Sequence, residues 1–406
     1  MPFHWFVALR YLRDARGQTL LILSAVSVGV SVIVFLSALI NGLQASLIAS
    51  TLGSQPHVTL GVPREVPRAL VEPSPGRAVA RIVQPASQRL RSIDQWPAVM
   101  AQARRVGGVT AASPSVTGSG VATRADARLP IVIRGVDPDL FLAIIDLRSR
   151  MLDGTFDVSG GRVVIGATLA EELGIGVGDK LRLASTEGGE DVVTVAGLFA
   201  LGNEAVDRTW VVTSLRHAQS LFTLPGGATV IELTVRDVFA ADRVAGEVQA
   251  RTGLRADSWM ALNAELLTGL TAQSNSKTMI QFFVVVSVTL GIASVLIISV
   301  VQKSREIGIL RAVGTPARRV LAVFLLQGGL LGLAGSVLGS LMGVIFARLF
   351  EQMTLTPDGS PRFPVQVDLP LLVGAMLLAT GIGLAAAVVP ARRAARLDPA
   401  RAIRSV

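Results

Sequence analysis

The sequence predicts an α-helical membrane protein with four transmembrane helices and a large α+β extracytoplasmic domain inserted between helices 1 and 2. Three observations predict it. Half of the 406 residues are hydrophobic, and the mean hydropathy of +0.56 is higher than a soluble domain of this size carries. Four runs contain no Asp, Glu, Lys or Arg: Gly17 to Pro63, Thr278 to Gln302, Val320 to Ala347 and Leu369 to Ala391. The charges that remain are divided unevenly along the chain.

Each element follows in order. Residues 1–18 read as an amphipathic N-terminal segment. A helix needs roughly 20 apolar residues to cross a bilayer, which places spans at 19–43, 279–301, 320–347 and 369–390. The first has a basic flank, "LRYLRDARG", like a secretory signal. Its apolar core is about 25 residues, too long for a signal h-region, and no small-residue cleavage site closes it, so it reads as an uncleaved anchor.

Charge sets the orientation. The two ends and the 302–319 loop hold 13 Lys/Arg against three acids, a surplus of 10, while 348–368 carries −1 and 44–278 carries 23 of each sign. The net +9 is therefore topological. It predicts cytoplasmic termini (1–18 and 391–406), a cytoplasmic 302–319 loop, a short periplasmic loop at 348–368 and a periplasmic domain at 44–278. A nucleic-acid partner loses its support, because no basic patch is left to explain.

Within 44–278, "GVPREVPRALVEPSPGRAVARIVQPASQ" holds five prolines and reads as an extended linker across 61–95. Beyond it the pattern is regular. "RVVIG" reads as a strand, followed by a helix from Ala167 to Leu173 closed by Gly174 and a second strand at "KLRLAS". "DVVTVAGLFA" and "ATVIELTVRD" alternate as strands, and "AADRVAGEVQAR" has helical spacing. With no cysteine in the chain there is no disulfide.

The chemistry search finds no catalytic residues. No GxxxxGK[ST] is present, and "GIGVGDKL" reads as a turn. His4, His57 and His217 are scattered, so no metal site is expected. Ser113, Ser115 and Ser119 have no accompanying His and Asp. The spans contain no charged residue, so an ion-coupled carrier is not indicated and the energy comes from elsewhere. In the third span, Gly335, Gly339 and Gly343 recur every four residues and Gly328 and Gly332 form another pair. That spacing makes small-residue ridges which admit a neighbouring helix.

One charged segment remains, "VQKSREIGILRAVGTPARRV" at 301–320, between two apolar runs. It predicts a short helix with Ile307, Leu310 and Val313 at helical spacing and Arg305 and Arg311 nearby, stopped by Gly314 and Thr315-Pro316. Such a helix suits docking into a groove of another protein. The alternative is a basic loop touching anionic lipid, for which neither the apolar face nor Glu306 is needed.

"SREIGILRAVGTPARRV", followed by "FLLQGGLLGLAGSVLGSLMG", the closing "PARRAARLDPARAIR" and the entry "ALRYLRDARGQTLLILSAVSVGVSVIVFLSALINGLQ", resemble the ABC-transporter permeases of the MacB, LolC/LolE and FtsX type. The similarity covers essentially the whole chain. It implies a multi-pass bacterial inner-membrane permease paired with a second permease, the same or a homologous chain, and docked on two copies of a separate cytoplasmic ABC ATPase. ATP and Mg are held in that ATPase, with no cofactor in this chain and no enzymatic activity of its own. Arg305, Glu306, Ile307, Leu310, Arg311 and Gly314 become the ATPase-coupling residues. The lipoprotein-releasing LolC/LolE branch is the nearest; "NGL" at 41–43 stands where that branch carries Asn-Gly-Phe, so Leu43 replaces Phe. That branch implies a lipid-handling surface at Leu43, Leu47, Met279, Phe282 and Phe283. It also implies a periplasmic carrier protein, captured in one permease of the pair by a protruding loop; here Ser185 to Asp191 leave only a tight turn. MacB-like export of a small molecule or peptide and FtsX-like mechanical signalling stand as alternatives.

Overall fold

The computed structural model describes residues 3–63, 90–355 and 365–396. Most of the segment read as a linker, 64–89, lies outside the described residues, as does 397–406 of the C-terminal tail. In chain order the helices are α1 Phe3–Asp14, α2 Arg16–Ser54, α3 Trp96–Arg104, α4 Pro138–Phe141, α5 Ala167–Leu173, α6 Glu204–Thr209, α7 Leu215–Leu221, α8 Ala241–Thr252, α9 Trp259–Leu262, α10 Ala264–Gln302, α11 Ser304–Ala312, α12 Ala317–Met353 and α13 Leu369–Ala395. The strands are β1 Val58–Gly61, β2 Val109–Arg124, β3 Ala127–Val136, β4 Met151–Gly154, β5 Arg162–Gly166, β6 Lys180–Ser185, β7 Glu190–Phe199, β8 Trp210–Ser214, β9 Val230–Val235 and β10 Arg255–Ser258. They form two compact units, Ile48–Leu267 and the remainder, Met1–Leu47 with Thr268–Val406.

The Ile48–Leu267 unit is built on one sheet in the order β10-β1-β9-β2-β3-β8-β5-β7-β4, with β6 pairing β2 and β7. β2 serves both ends of it. Its first half pairs with β9 from Val109 to Ser115, and its second half pairs with β3 through Arg124 and with β6 from Gly120 to Thr123. Three cores result. Val58, Leu60, Ile231, Leu233, Val244, Val248 and Trp259 fill one; Ile133, Ile165, Leu169, Leu181, Val193 and Phe222 belong to a second; Val136, Phe141, Ile145, Leu147, Phe199 and Val212 belong to a third. Gly174 closes α5 at φ 61°, in the left-handed region that glycine adopts without a Cβ penalty. Between β6 and β7 the chain turns tightly, Ser185 N–H donating to the Gly189 carbonyl at 2.8 Å.

In the other unit four helices, α2, α10, α12 and α13, are long and apolar enough to cross a membrane. α2 and α10 each have 39 residues, so the outer domain expected at 44–278 begins and ends inside helices. Hydropathy marks only the greasy part of a helix. Nothing in "QASLIAS" stops α2, which runs until Ser54, two residues before Pro56.

The helix directions follow from paired contacts. A Cβ on Gly335, Gly339 or Gly343 would meet Val26 Cγ1 at 2.6 Å, the Ser27 carbonyl oxygen at 2.5 Å or Val34 Cβ at 2.9 Å, so α12 runs parallel to α2. A Cβ on Gly332 would meet the Ala379 oxygen at 2.6 Å, and Gly328 and Gly383 each face the other's carbonyl oxygen; α12 and α13 are antiparallel. Polar pairs tie α10 antiparallel to α2: Gln18 Nε2 donates to Gln302 Oε1 (2.8 Å), Gln281 Nε2 to Ser37 Oγ (2.8 Å), Lys277 Nζ to Asn41 Oδ1 (3.1 Å) and Gln44 Nε2 to the Leu270 oxygen (3.1 Å).

Candidate functional site

The alternating directions bring α1, α11, the start of α12 and the last turns of α13 to one end of the helical unit. There Ile307 packs with Val300, Val320, Phe324, Ala391 and Ala394. α1 lies on α12 through Ala8, Tyr11 and Val323, and its other side leaves Trp5, Phe6, Leu9, Arg10 and Arg13 exposed.

α11 begins one residue after α10. Its end is a Schellman motif: Thr315 N–H donates to the Leu310 oxygen, Gly314 N–H to the Arg311 oxygen, and Gly314 sits at φ 97°. Pro316 then sets the start of α12. The stop read from Gly314 and Pro316 thus has a definite geometry.

The two faces of α11 differ from the expected docking arrangement. Ile307 is 1% exposed and Leu310 is half-buried, both turned toward α1 and α12 with Tyr11, Val323 and Phe324. The side left to solvent carries Arg305, Ile309, Ala312 and Val313, with Ile309 48% and Val313 84% exposed. Helical periodicity identifies an apolar stripe but not its partner, and this stripe is used within the chain. Arg311 is half-buried. Glu306 is exposed and paired with Lys303, Nζ to Oε1 at 2.8 Å. Lys303 Nζ also lies 5.4 Å from the centroid of the Tyr11 ring. Burial first, and then the Glu306 carboxylate, push the Tyr11 hydroxyl up to about 12, so it stays protonated. Tyr11 was not among the residues singled out; as the chain's one tyrosine, set in an amphipathic helix, it was open to notice.

The residues expected to handle lipid flank the α2–α10 polar seam. Met279, Phe282 and Phe283 are well exposed on α10, the two Phe rings edge to face at 5.7 Å. Leu47 is exposed on α2 and Leu43 half-buried.

In the Ile48–Leu267 unit a fully buried ion pair joins Arg134 of β3 to Glu232 of β9, with the guanidinium 4.0 Å from the Trp210 ring and 5.3 Å from Phe141. The signal for it was a lone charge in each of two apolar strands, "IVIRGV" and "VIELTV".

Comparison with known proteins places these features. The family model described as MacB-like periplasmic core domain matches residues 19–251, and FtsX-like permease C-terminal matches 278–399. A lipoprotein-releasing system transmembrane protein LolC of Xylella fastidiosa is 23% identical over 99% of both chains. A macrolide export ATP-binding/permease protein MacB of Sodalis glossinidius is 32% identical over 32% of this chain and 19% of its own. The periplasmic region of MacB from Actinobacillus actinomycetemcomitans superposes with a TM-score of 0.34 at 9% identity, over 54% of this chain and 95% of that one.

Proposed function

The chain belongs to the MacB, LolC and FtsX family of ABC-transporter permeases, and from that premise we propose that it extracts lipoproteins from the inner membrane, driven by a separate cytoplasmic ATPase. The observation that carries the driven part is α11, a short helix with a cationic and apolar outer side, Arg305, Ile309 and Val313, at the basic end of the helical unit. Placing that end in the cytoplasm, with both termini, agrees with the excess of Lys/Arg there. The α+β unit then lies in the periplasm. ATP and Mg belong to the ATPase, two copies of which serve this chain and a second permease. Likeness to a LolC along the full length of both chains supports lipoprotein release over export. Acyl chains would enter beside Leu43, Leu47, Met279, Phe282 and Phe283, and the short β6–β7 turn makes this the permease of a pair that lacks a protruding carrier-binding loop.

Three measurements test the reading. A reporter fused after residue 150 should be active only outside the cytoplasm, and one after 310 only inside; the reverse pattern overturns the topology. Ile309→Asp with Val313→Asp should release the co-purifying ATPase while the chain still inserts, because an unpaired carboxylate is costly to bury in an apolar contact. Retained ATPase would return α11 to a lipid-facing role. Photo-crosslinkers at Leu47 and Phe283 should label acylated proteins. Absence of acylated product in an ATPase-coupled complex would leave export or mechanical signalling as the function.

A further inference from the structure

We infer that Tyr11 is a positioning residue for α11: its ring holds Lys303, which is bonded to Glu306, and so fixes which side of α11 is turned outward. The inference rests on the reading of α11 as the seat of the ATPase. A nine-residue helix has little stability of its own, so its orientation must come from tertiary contacts. α11 is held along one edge, by the deeply buried Ile307 and the half-buried Leu310. A helix held along one apolar edge can rock about it, and rocking would carry Arg305, Ile309 and Val313 away from the side they occupy. A directional attachment off that edge removes the freedom.

Tyr11 supplies it. Lys303, the residue joining α10 to α11, stands over the Tyr11 ring at 5.4 Å and bonds Glu306 in the first turn of α11 at 2.8 Å. The negative charge of the same carboxylate, together with burial, holds the Tyr11 hydroxyl in its protonated form. The tyrosine is itself 8% exposed and seated on Val323 of α12 beside Ala8. A cation held against a buried aromatic face, and a charge-assisted hydrogen bond from that same cation to Glu306, make a directional contact. Through it α1, which precedes the first long helix, sets the angle at which α11 meets the ATPase.

The absence of cysteine from the chain allows a direct test. Spin labels at Arg13→Cys and Ile309→Cys in the full-length chain, reconstituted in lipid nanodiscs, report the orientation of α11 relative to α1. The expected result is one narrow distance distribution with Tyr11 present, and loss of that orientation by roughly tenfold in Tyr11→Leu. Tyr11→Phe, which keeps the ring over Lys303, should restore most of it, a rescue that a purely space-filling role would not distinguish from Tyr11→Leu. Lys303→Met added to Tyr11→Leu should broaden the distribution no further. In complexes that retain the ATPase, Tyr11→Leu should lower transport-coupled turnover while Tyr11→Phe does not. An unchanged narrow distribution in Tyr11→Leu overturns the inference. If the distribution responds as expected but Ile309→Asp with Val313→Asp keeps the ATPase bound, the positioning stands and the docking reading falls.

Discussion

The two units solve the problem of a polar group in an interior in opposite ways. Between Ile48 and Leu267 the chain buries a full ion pair, Arg134 and Glu232, stacked on Trp210. Among the described residues of the helical unit the buried polar groups are serines and Gln327, with no charge, and close packing comes from glycines. Water explains the difference. A domain that folds from water can desolvate two charges if they arrive together and are held by neighbours. A helix already in lipid has no apolar driving force for association, so contact depends on backbone approach and a few hydrogen bonds. The helical unit repeats the contrast on a smaller scale: 44% of the apolar window of α12 is buried, against 17% for α10, which is joined to α2 through the polar seam.

The largest effect that would break this comparison is loss of the buried pair. Glu232→Ala leaves Arg134 charged and without its partner, and should destabilise the unit by about 3–5 kcal/mol. Chemical denaturation followed by near-ultraviolet dichroism would measure it, and Arg134→Met with Glu232→Leu should recover most of the loss. A neutral Glu232→Ala would mean that the pair is not desolvated as the packing requires.

Next comes Gly339→Val in α12, where a Cβ would press on the Ser27 oxygen. Overpacking of this kind typically destabilises by about 1–3 kcal/mol. Gly291→Val in α10, where nothing lies within 4 Å, should leave thermal stability in detergent unchanged. Equal responses would erase the distinction between the two helices. A smaller effect is expected at the seam. A double-mutant cycle of Ser37→Ala and Gln281→Leu should give a coupling of about 0.6 kcal/mol, the usual worth of such bonds in a bilayer.

The smallest effect sharpens the comparison by pH. Burial holds His57 and His217 below the ordinary 6.5, against the pull of Asp191 on His217. The unfolded chain therefore binds protons first as pH falls. Stability from these two imidazoles is complete above about pH 6.5 and declines below it toward their folded-state values. Unfolding of the Ile48–Leu267 unit, scanned from about pH 7.5 to about pH 5.5, should show the decline, and His57→Gln with His217→Gln should flatten it.

Much of this architecture was legible in the residues, and the parts that were not have physical reasons. Charge-free runs show where a helix can lie in lipid, but they do not show where it ends, since α2 and α10 continue as helix through "QASLIAS" and "AELLTGLTAQSNSK". The β2–β3 hairpin escaped notice because Pro114 and Pro130 interrupt it and glycines thin its pattern. Gly118 and Gly120 are needed there, where the Phe222 ring and the Ala184 oxygen leave no room for a Cβ. α11 was readable down to its stop at Gly314. Which side of it faced outward was not, because that depends on how the chain folds back around Ile307, bringing Val300 and Phe324 of the flanking helices together with Ala391 and Ala394 of α13.

The mutual approach of Gly328 and Gly383 also bears on how this contact can change over time. Each residue's missing Cβ is the space occupied by the other's carbonyl oxygen. Most packed pairs drift by exchange, one partner growing as the other shrinks. Here neither can shrink further, so growth at one position has no compensating step at the other. Random mutagenesis with selection for assembly should find second-site suppressors of Gly328→Ala that move the helices apart, at Ala379 or Ala387, rather than substitutions at Gly383 itself. The crossing of α12 and α13 is then a contact in which neither partner can be enlarged unless a whole helix moves.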